Sequence, residues 1–463
     1  MHLIPQVWAH LHILVSVFPT VGLVFALGIY IAAIIAKSEA MKKTSLVFIG
    51  ILGLVGIPTY LSGVDSMAEL AGNPKFTDDT VANHLGWGIA ALGALGLTAL
   101  AAWIVLLRFG RKPLSDNAVH LVLGLSLVTL GLMVVVGELG WEINHTEIFL
   151  PTAKTPQLWS HVHIILNHFP TVGFVFAIGL YALALLLNNT VMKRTSLVLF
   201  VICAVLGVPT FVTGNASMWA LTDPPVRGIA KAVINAHRDW ALYTLLGLAF
   251  TGVTSWIELW RYRQVGRFSN PFLALVMVFG LITLGIMAET GHRGGQINHP
   301  EIRAATDVLP TDPNAGLSVF VEKEINQVIW FVPWQTVHFF GYALIFGTAF
   351  AVSLRILGFW KSLAFESVHR ILPLGVFGVV TNVFSGMLIL QADSSRYLNE
   401  ITFVPKIIFI TIGGIAVLYY SVSEKLWRVK AGEEAPMGAK WVAALVLLSW
   451  IGVILGGRLL PYV

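Results

Sequence analysis

Histidines occur in recurring short patterns in this sequence. The segment Trp8–His12 reads Trp-Ala-His-Leu-His, and Trp159–His163 reads Trp-Ser-His-Val-His. A single histidine followed by tryptophan three residues later comes further along each copy, at His84 and His237. A neutral imidazole nitrogen ligates transition metals and haem iron, and imidazole also exchanges protons near neutral pH. These residues can therefore do metal or redox chemistry if the fold brings them together.

The histidine patterns belong to a long internal repeat. The other matched segments are Phe18–Gly22 with Phe169–Gly173, Met41–Leu46 with Met192–Leu197, and Ile143–His145 with Ile297–His299. Residues 1–150 and 151–305 are therefore predicted to be two copies of one unit. Residues 306–333 are predicted to form an extracytoplasmic connector. The last block, 334–463, is interpreted as lacking the motifs of the repeat.

The composition is that of a membrane protein. Hydrophobic residues make up 56% of the 463 residues and charged residues only 11%, whereas soluble proteins carry about 25% charged residues. This excludes a soluble enzyme and a disordered or fibrous protein, and the net charge of +5 does not indicate a nucleic-acid partner. The single cysteine, Cys203, excludes an internal disulfide, a thiolate zinc cluster and covalent haem attachment through C-x-x-C-H.

Twelve apolar runs are long enough to cross a bilayer, which takes about 20 residues each. They lie near 13–35, 45–63, 85–107, 118–137, 164–187, 196–214, 239–259, 271–290, 334–354, 371–391, 404–423 and 441–460. Backbone groups in lipid must be satisfied within their own segment, so these runs are helices. The sequence thus predicts an all-α polytopic membrane protein with three four-helix bundles. The first two are parallel repeats, because four crossings restore the starting side.

Lysine and arginine predict the orientation. Most of them lie in the short loops that follow the odd-numbered spans, and the loops on the other side are longer and hold most of the acidic residues. The short loops are therefore cytoplasmic and both termini extracytoplasmic. No basic n-region or cleavage site marks a removable signal, and we expect a multi-pass protein of the bacterial cytoplasmic membrane. Of the 14 histidines, only His120 and His369 fall on the cytoplasmic side, where they are interpreted as interfacial.

The second copy carries the clearer candidate haem site. His161 and His168 are seven residues apart and share one helix face, about 10 Å apart along the axis. Facing helices of a bundle are the usual place for a cofactor, and haem b needs only neutral imidazoles as axial ligands. A ligand on the first helix of this copy, among His161, His163 and His168, is therefore predicted to face His237.

The first copy offers fewer ligands. Val17 stands at the position of His168, so only His10 or His12 can pair with His84. His10 and His12 are two residues apart and point to nearly opposite helix faces, and at most one of them faces its bundle. The predicted haem-iron ligands are His168 and His237 in the second copy and His12 and His84 in the first.

Other side chains have two interpretations each. His338, one turn after Trp334, is a candidate ligand or quinone contact. Glu138, Glu289 and Asp239 are candidate proton acceptors for a quinol, or solvated helix ends. A second set is interpreted as structural: Met67 and Met218 as interfacial packing in preference to haem ligation, His145 and His299 as loop structure or partner contacts, and Gly28 and Gly179 as sites of close helix packing.

The second copy resembles an uncharacterised family of bacterial four-helix membrane proteins. The resemblance rests on His168-Phe169-Pro170, on Thr213-Gly214 and on His237. It implies a haem-binding bundle. The first copy departs from the signature at Val17-Phe18-Pro19 and Ser62-Gly63. The block from 334 resembles small four-helix domains of the copper-resistance and cytochrome b type, through His338, Arg355–Gly358 and Phe403–Lys406.

These features favour a cytochrome b-like integral subunit of a respiratory redox complex. It would pass electrons through haem b near the outer face, between membrane quinone and an extracytoplasmic partner such as a c-type cytochrome. The chain would be at most the membrane subunit of a quinone-linked oxidoreductase, in contact with lipid and other redox subunits. Two alternatives remain open: a haem-free anchor for peripheral subunits, and a transporter for copper or a small solute.

Overall fold

A computed structural model describes residues 7–35, 37–70, 78–110, 112–144, 156–222, 230–298 and 310–459. All regular structure in these ranges is helical, and twelve of the helices are long and apolar enough to cross a membrane. The helices are α1 (Val7–Ile35), α2 (Glu39–Leu70), α3 (Asp78–Phe109), α4 (Asp116–Asn144), α5 (Pro156–Leu186), α6 (Thr190–Thr222), α7 (Lys231–Val265), α8 (Asn270–Asn298), α9 (Leu317–Ile325), α10 (Val328–Leu357), α11 (Phe365–His369), α12 (Leu372–Ala392), α13 (Ser394–Asn399), α14 (Phe403–Val422), α15 (Glu424–Trp427) and α16 (Met437–Leu459). The predicted all-α polytopic membrane fold is confirmed.

Most membrane-crossing helices are longer than the apolar runs that predicted them. The second helix continues to Leu70 and the fourth to Asn144, one or two turns past the apolar sequence. The extra turns are polar, so the apolar stretch of the sequence ends before the helix does. Because α4 continues to Asn144, Glu138 lies inside its last turns instead of terminating it. The helices α1 and α3 also begin before their apolar runs, so His12 and His84 lie within helices.

The helices form two compact units. One contains α1–α4 and the junction of α5 and α6, Leu183–Lys193, and the other contains Trp159–Ala182, Arg194–Ile297 and the described residues from 310 onwards. In the first unit α1–α4 form a closed bundle in which each helix packs on the next and α4 returns to α1. The second unit contains most of the second bundle (α5–α8), the connector and the third bundle (α10, α12, α14 and α16 with their short linking helices).

The first two bundles close through the same contact. In the first, the Tyr30 hydroxyl donates to the carbonyl oxygen of Val119 at 3.3 Å, joining α1 to α4. In the second, the Tyr181 hydroxyl donates to the carbonyl oxygen of Leu273 at 2.8 Å, joining α5 to α8. All four residues hold matching positions in the two sequence copies. The repeated sequence therefore builds a repeated helix arrangement.

The second and third helices also cross at matching positions in the two bundles, but the glycine and the alanine at the crossing have changed helices. A Cβ added at Gly53 of α2 would lie 2.3 Å from Cβ of Ala99 on α3. In the second bundle the alanine is on the second helix, and a Cβ added at Gly252 of α7 would lie 2.5 Å from Cβ of Ala204 on α6. Each crossing thus has room for one methyl group, which allows close backbone approach in a membrane.

The second and third bundles pack directly on each other. Phe211 of α6 and Leu242 of α7 belong to one apolar cluster with Met387 of α12 and Phe403 of α14. At its edges, indole N–H groups donate to serine hydroxyls across the interface, Trp219 to Ser394 at 2.8 Å and Trp256 to Ser421 at 3.0 Å. Burying an indole satisfied by a hydroxyl avoids the cost of an unpaired polar group.

The connector is partly helical, which the polar sequence did not predict. Within 306–333, α9 packs on α12, and α10 begins at Val328, six residues before the predicted boundary at 334. The Asp239 carboxylate accepts hydrogen bonds from the backbone N–H of Leu317 at 3.0 Å and of Ser318 at 2.6 Å. These bonds satisfy N–H groups that the first turn of a helix leaves unpaired, and they hold the start of α9 on α7.

The two histidines interpreted as interfacial differ in their surroundings. His120 is exposed at the start of α4. His369 is fully buried, with its ring 4.8 Å from that of Trp427 and its Nε2 3.3 Å from the Ser421 hydroxyl. The interfacial interpretation was therefore wrong for His369, because Phe365 of α11 and Trp427 of α15 pack against its ring and cover it.

Candidate paired-histidine sites

The second bundle brings two histidines from different helices close together. His163 of α5 and His237 of α7 have ring centroids 6.5 Å apart, with an angle of 73° between the ring planes. Both lie one or two turns inside the first end of their helices, below the polar turns. The pair is thus placed near one end of the bundle, inside it.

The Nδ1 atom of each ring is held by a neighbouring helix. Nδ1 of His163 lies 3.0 Å from the carbonyl oxygen of Thr210, and Nδ1 of His237 lies 3.0 Å from that of Thr290. A carbonyl oxygen can only accept, so each Nδ1 carries the proton. Nε2 is then unprotonated, with its lone pair directed away from the carbonyl. This is the tautomer and orientation in which histidine ligates a metal.

A glycine four residues after each accepting carbonyl makes room for the ring. A Cβ at Gly214 would lie 2.9 Å from Cε1 of His163, and a Cβ at Gly294 would lie 3.0 Å from Cε1 of His237. Both distances are too short for a real carbon pair, and only glycine allows the rings to sit where they do. We refer to a histidine with the carbonyl and the glycine that hold it as a histidine module.

The first bundle repeats the arrangement with different residues around it. His12 of α1 and His84 of α3 have ring centroids 6.2 Å apart at 82°. Nδ1 of His12 lies 3.0 Å from the carbonyl oxygen of Thr59, and a Cβ at Gly63 would lie 2.9 Å from its Cε1. This is the same module that holds His163.

The fourth module is looser. A Cβ at Gly140 of α4 would lie 2.8 Å from Cε1 of His84. The ring faces the carbonyl of Val136, four residues before that glycine, without a well-formed hydrogen bond. The glycine contact is therefore common to all four histidines, and the well-formed carbonyl bond to three.

The residues of each site fit the axial ligation of haem. An imidazole nitrogen bonds a metal at about 2 Å, and the ring centre lies about 1 Å beyond that nitrogen. Two imidazoles on opposite sides of one iron therefore have ring centres roughly 6 Å apart, close to the observed 6.2 and 6.5 Å. The porphyrin supplies the other four nitrogens, and two imidazoles complete the set. Among the described side chains, no group of three or more His, Cys, Asp or Glu residues is arranged to hold a metal ion.

The structure brings only one of the three candidate histidines of α5 close to His237. His163 faces His237, whereas His168 lies five residues further along α5, with its Nδ1 2.5 Å from the carbonyl oxygen of Ile164 on its own helix. His161 is two residues before His163 and so points to another side of α5. In the first bundle His12 faces His84. The side chain of His10 lies outside the described residues, as do His145 and His299.

The predicted proton acceptors do not gather at the pairs. Glu138 is exposed on α4, and Glu289 pairs with Arg293 of its own helix at 2.8 Å. The Asp239 carboxylate is occupied by the first turn of α9. Glu138 and Glu289 therefore lie near the ends of their helices, and Asp239 attaches the connector to α7.

The third bundle contains a further module. Nδ1 of His338 on α10 lies 3.1 Å from the carbonyl oxygen of Asn382 on α12, and a Cβ at Gly386 would lie 2.8 Å from its Cε1. The view that this block lacks the motifs of the repeat was therefore wrong. The signal was present as Trp334 four residues before His338, and as Ser385-Gly386, which matches Ser62-Gly63 and Thr213-Gly214.

A hydroxyl accompanies the first-helix histidine in all three bundles. The side-chain oxygens of Ser62, Thr213 and Ser385 lie 3.4, 3.3 and 3.1 Å from Nδ1 of their histidines.

No family model matches this chain, and no curated protein or solved structure is significantly similar to it. The internal comparison of its three bundles therefore carries the functional argument.

Proposed function

We propose that this chain is a membrane cytochrome b subunit of a respiratory redox complex. One haem b is held between His12 and His84, and another between His163 and His237. The observation that carries the proposal is the pair of imidazoles in each bundle, with ring centroids 6.2 and 6.5 Å apart. Haem bound in this way exchanges single electrons by a change in the oxidation state of its iron.

The chain's own contacts prepare each site for a large planar group. The carbonyls and glycines are supplied by the second and fourth helices of each bundle, and the two rings by the first and third helices. All four helices of a bundle therefore hold the ligands, and few rotamers remain free. Ligands fixed before the cofactor binds cost less conformational entropy on binding.

The location of the two histidine pairs indicates which molecules could exchange electrons with the proposed haems. By the distribution of lysine and arginine, the pairs lie at the extracytoplasmic ends of the helices, in a bacterial cytoplasmic membrane with both termini outside. Membrane quinone reaches such sites from the lipid, and a c-type cytochrome or another redox subunit reaches them from the outer face. The chain accordingly works as the membrane component of a larger quinone-linked oxidoreductase.

Haem content tests the proposal. The full chain, purified in detergent from cells supplied with haem precursors, is expected to bind haem b and to show a Soret band that shifts on reduction with dithionite. His84→Ala and His237→Ala should each remove one haem per chain by pyridine haemochrome assay. His120→Ala, which changes an exposed histidine of α4, should remove none. A colourless chain, or full haem content in both site variants, would overturn the proposal.

The choice of the first-helix ligand has its own test. His163→Ala is expected to lose one haem, whereas His168→Ala should keep the full count, because only His163 faces His237. Both variants lie on α5, and a general folding defect in that helix would affect both. The opposite pattern would assign the ligand to His168 and contradict the pairing seen in the structure.

A further inference from the structure

The third bundle reproduces half of a paired-histidine site. His338 has the same supports as His12 and His163: a carbonyl oxygen 3.1 Å from Nδ1, a serine hydroxyl at 3.1 Å, and a glycine against Cε1. Its Nε2 accepts or donates no hydrogen bond within the described part of the chain. A support system that fixes a ring and leaves its Nε2 free is the feature that marks the other two sites.

Lys406 occupies the place that a histidine holds in the other bundles. It lies on α14, the third membrane-crossing helix of its bundle, as His84 lies on α3 and His237 on α7. A Cβ at Gly456 of α16 would lie 3.0 Å from Cβ of Lys406. A Cβ at the next residue, Gly457, would lie 3.7 Å from Nζ of Lys406. The fourth helix therefore packs on Lys406 through two glycines, whereas in the first two bundles a single glycine, Gly140 or Gly294, contacts the ring of the histidine.

The Lys406 amine has no counter-charge. Among the described residues, no carboxylate pairs with its Nζ and no hydrogen bond to it is formed, and it lies within electrostatic range of His338. An uncharged amine carries a lone pair, and it can serve as a metal ligand in the way an imidazole does.

We propose that the third bundle binds a third haem b, with His338 as one axial ligand and Lys406 as the other. The inference rests on the proposed function, because it extends the ligation of the first two bundles to the third. It differs from that function in assigning a histidine–lysine pair, which gives this haem a different ligand field from the two bis-histidine haems.

The haem count separates this inference from the proposed function. The intact full chain is expected to contain three haems and His338→Ala two, with the two bis-histidine signals unchanged in the low-temperature EPR spectrum. Two haems in the intact chain and no loss in His338→Ala would overturn the third site and leave the proposed function standing. No haem at all would overturn both. Two haems together with ubiquinone binding that His338→Ala abolishes would assign the site to quinone and also overturn the inference.

Lys406 variants test the second ligand without depending on His338. Lys406→Ala should keep the third haem bound through His338 but convert it to a high-spin, five-coordinate form, visible as one new high-spin EPR signal per chain. Lys406→His should return it to a low-spin, bis-histidine signal. Lys425→Ala, at an exposed lysine of the same bundle, should change nothing. An unchanged spectrum in Lys406→Ala, with three haems bound, would exclude lysine ligation.

Discussion

The same helix face is covered in the second bundle and bare in the first. On α6, Val208 and Val212 are 5% and 4% exposed, whereas the matching residues of α2, Ile57 and Leu61, are 57% and 54% exposed. The difference arises because α12 and α14 pack on α6 and α7 within the second unit. Yet His12 and His163, held by these two helices, have the same contacts.

The comparison shows that the histidine modules do not depend on the outer packing of their bundles. Thr59 and Thr210 present their carbonyls to the bundle interior, and the apolar residues that differ lie on the outer side of the same helices. The outer face of α6 is therefore free to serve assembly with the third bundle. The inner face holds the histidine rings, and substitutions on the two faces should have separable effects.

The largest effect is expected for an outer-face residue of the second bundle. Phe211→Ala should destabilise the protein by about 3–5 kcal/mol, because Phe211 is buried between the two bundles and its removal leaves a cavity. Tyr60→Ala changes the matching residue of α2, which is 42% exposed, and should cost less than about 1 kcal/mol. Thermal unfolding in detergent measures both. Equal costs would contradict the asymmetry.

An intermediate effect is expected on the inner face, and it should be equal in the two bundles. Gly63→Ala and Gly214→Ala each place a Cβ 2.9 Å from Cε1 of a histidine and so tilt the ring. Changing such a support should lower haem affinity about 10- to 100-fold. Gly28→Ala and Gly179→Ala are matched controls on α1 and α5, since a Cβ at either meets nothing within 4 Å.

Haem affinity is measured by competition with apomyoglobin. An effect confined to one bundle would contradict the equivalence of the modules. A loss of equal size in the two control variants would show that alanine perturbs these helices generally and not the rings.

The smallest effect concerns the ends of α2 and α6. The Arg194 guanidinium donates to the Glu424 carboxylate of the third bundle at 2.8 Å, whereas the matching Lys43 donates to the carbonyls of Gly110 and Lys112 inside its own bundle, both at 2.7 Å. Since the carboxylate of this pair is exposed, Arg194→Ala should cost less than about 1 kcal/mol at neutral pH.

This cost should depend on pH. Arg194 lowers the pKa of Glu424 below its ordinary value. A carboxyl whose pKa is lowered on folding contributes stability above its unfolded pKa, about 4.3, and loses it as pH falls through the folded pKa. The stability difference between Arg194→Ala and the unchanged chain should therefore disappear on acidification. A difference that grows below pH 4 would contradict the ion pair.

Hydropathy and self-similarity were enough to predict the twelve spans and the repeat, because lipid demands long apolar helices and a copied unit keeps its spacing. They were not enough to choose between His163 and His168. Both are on one helix of the same bundle, and the choice depends on how α5 is rotated about its axis against α7. That rotation is a property of the packing of whole helices.

The glycines show the same limit. Gly28 and Gly179 were interpreted as sites of close packing, but a Cβ at either meets open space, and that interpretation was wrong. The glycines that admit a close neighbour at the sites are Gly63, Gly140, Gly214 and Gly294, whose neighbour is a histidine ring on another helix. A glycine in a sequence does not reveal what approaches it.

The third module was missed for a related reason. No second histidine faces His338 in the described part of the last block, and the second ligand that we propose there is Lys406. The proposal depends on the packing of α16 against Lys406, which the sequence does not reveal. The packing around Lys406 suggested its role, whereas its residue type did not.

The positions of the modules along their helices have an energetic consequence. His163 and His338 lie near the first ends of α5 and α10, and four membrane crossings separate these helices, so both ends face the same side. Moving one charge across a membrane at 100 mV involves about 2.3 kcal/mol, whereas transfer between two groups at equal depth involves none of it. Electrons exchanged between the proposed sites of this unit would stay near one side of the membrane, and their movement would generate or consume little membrane potential.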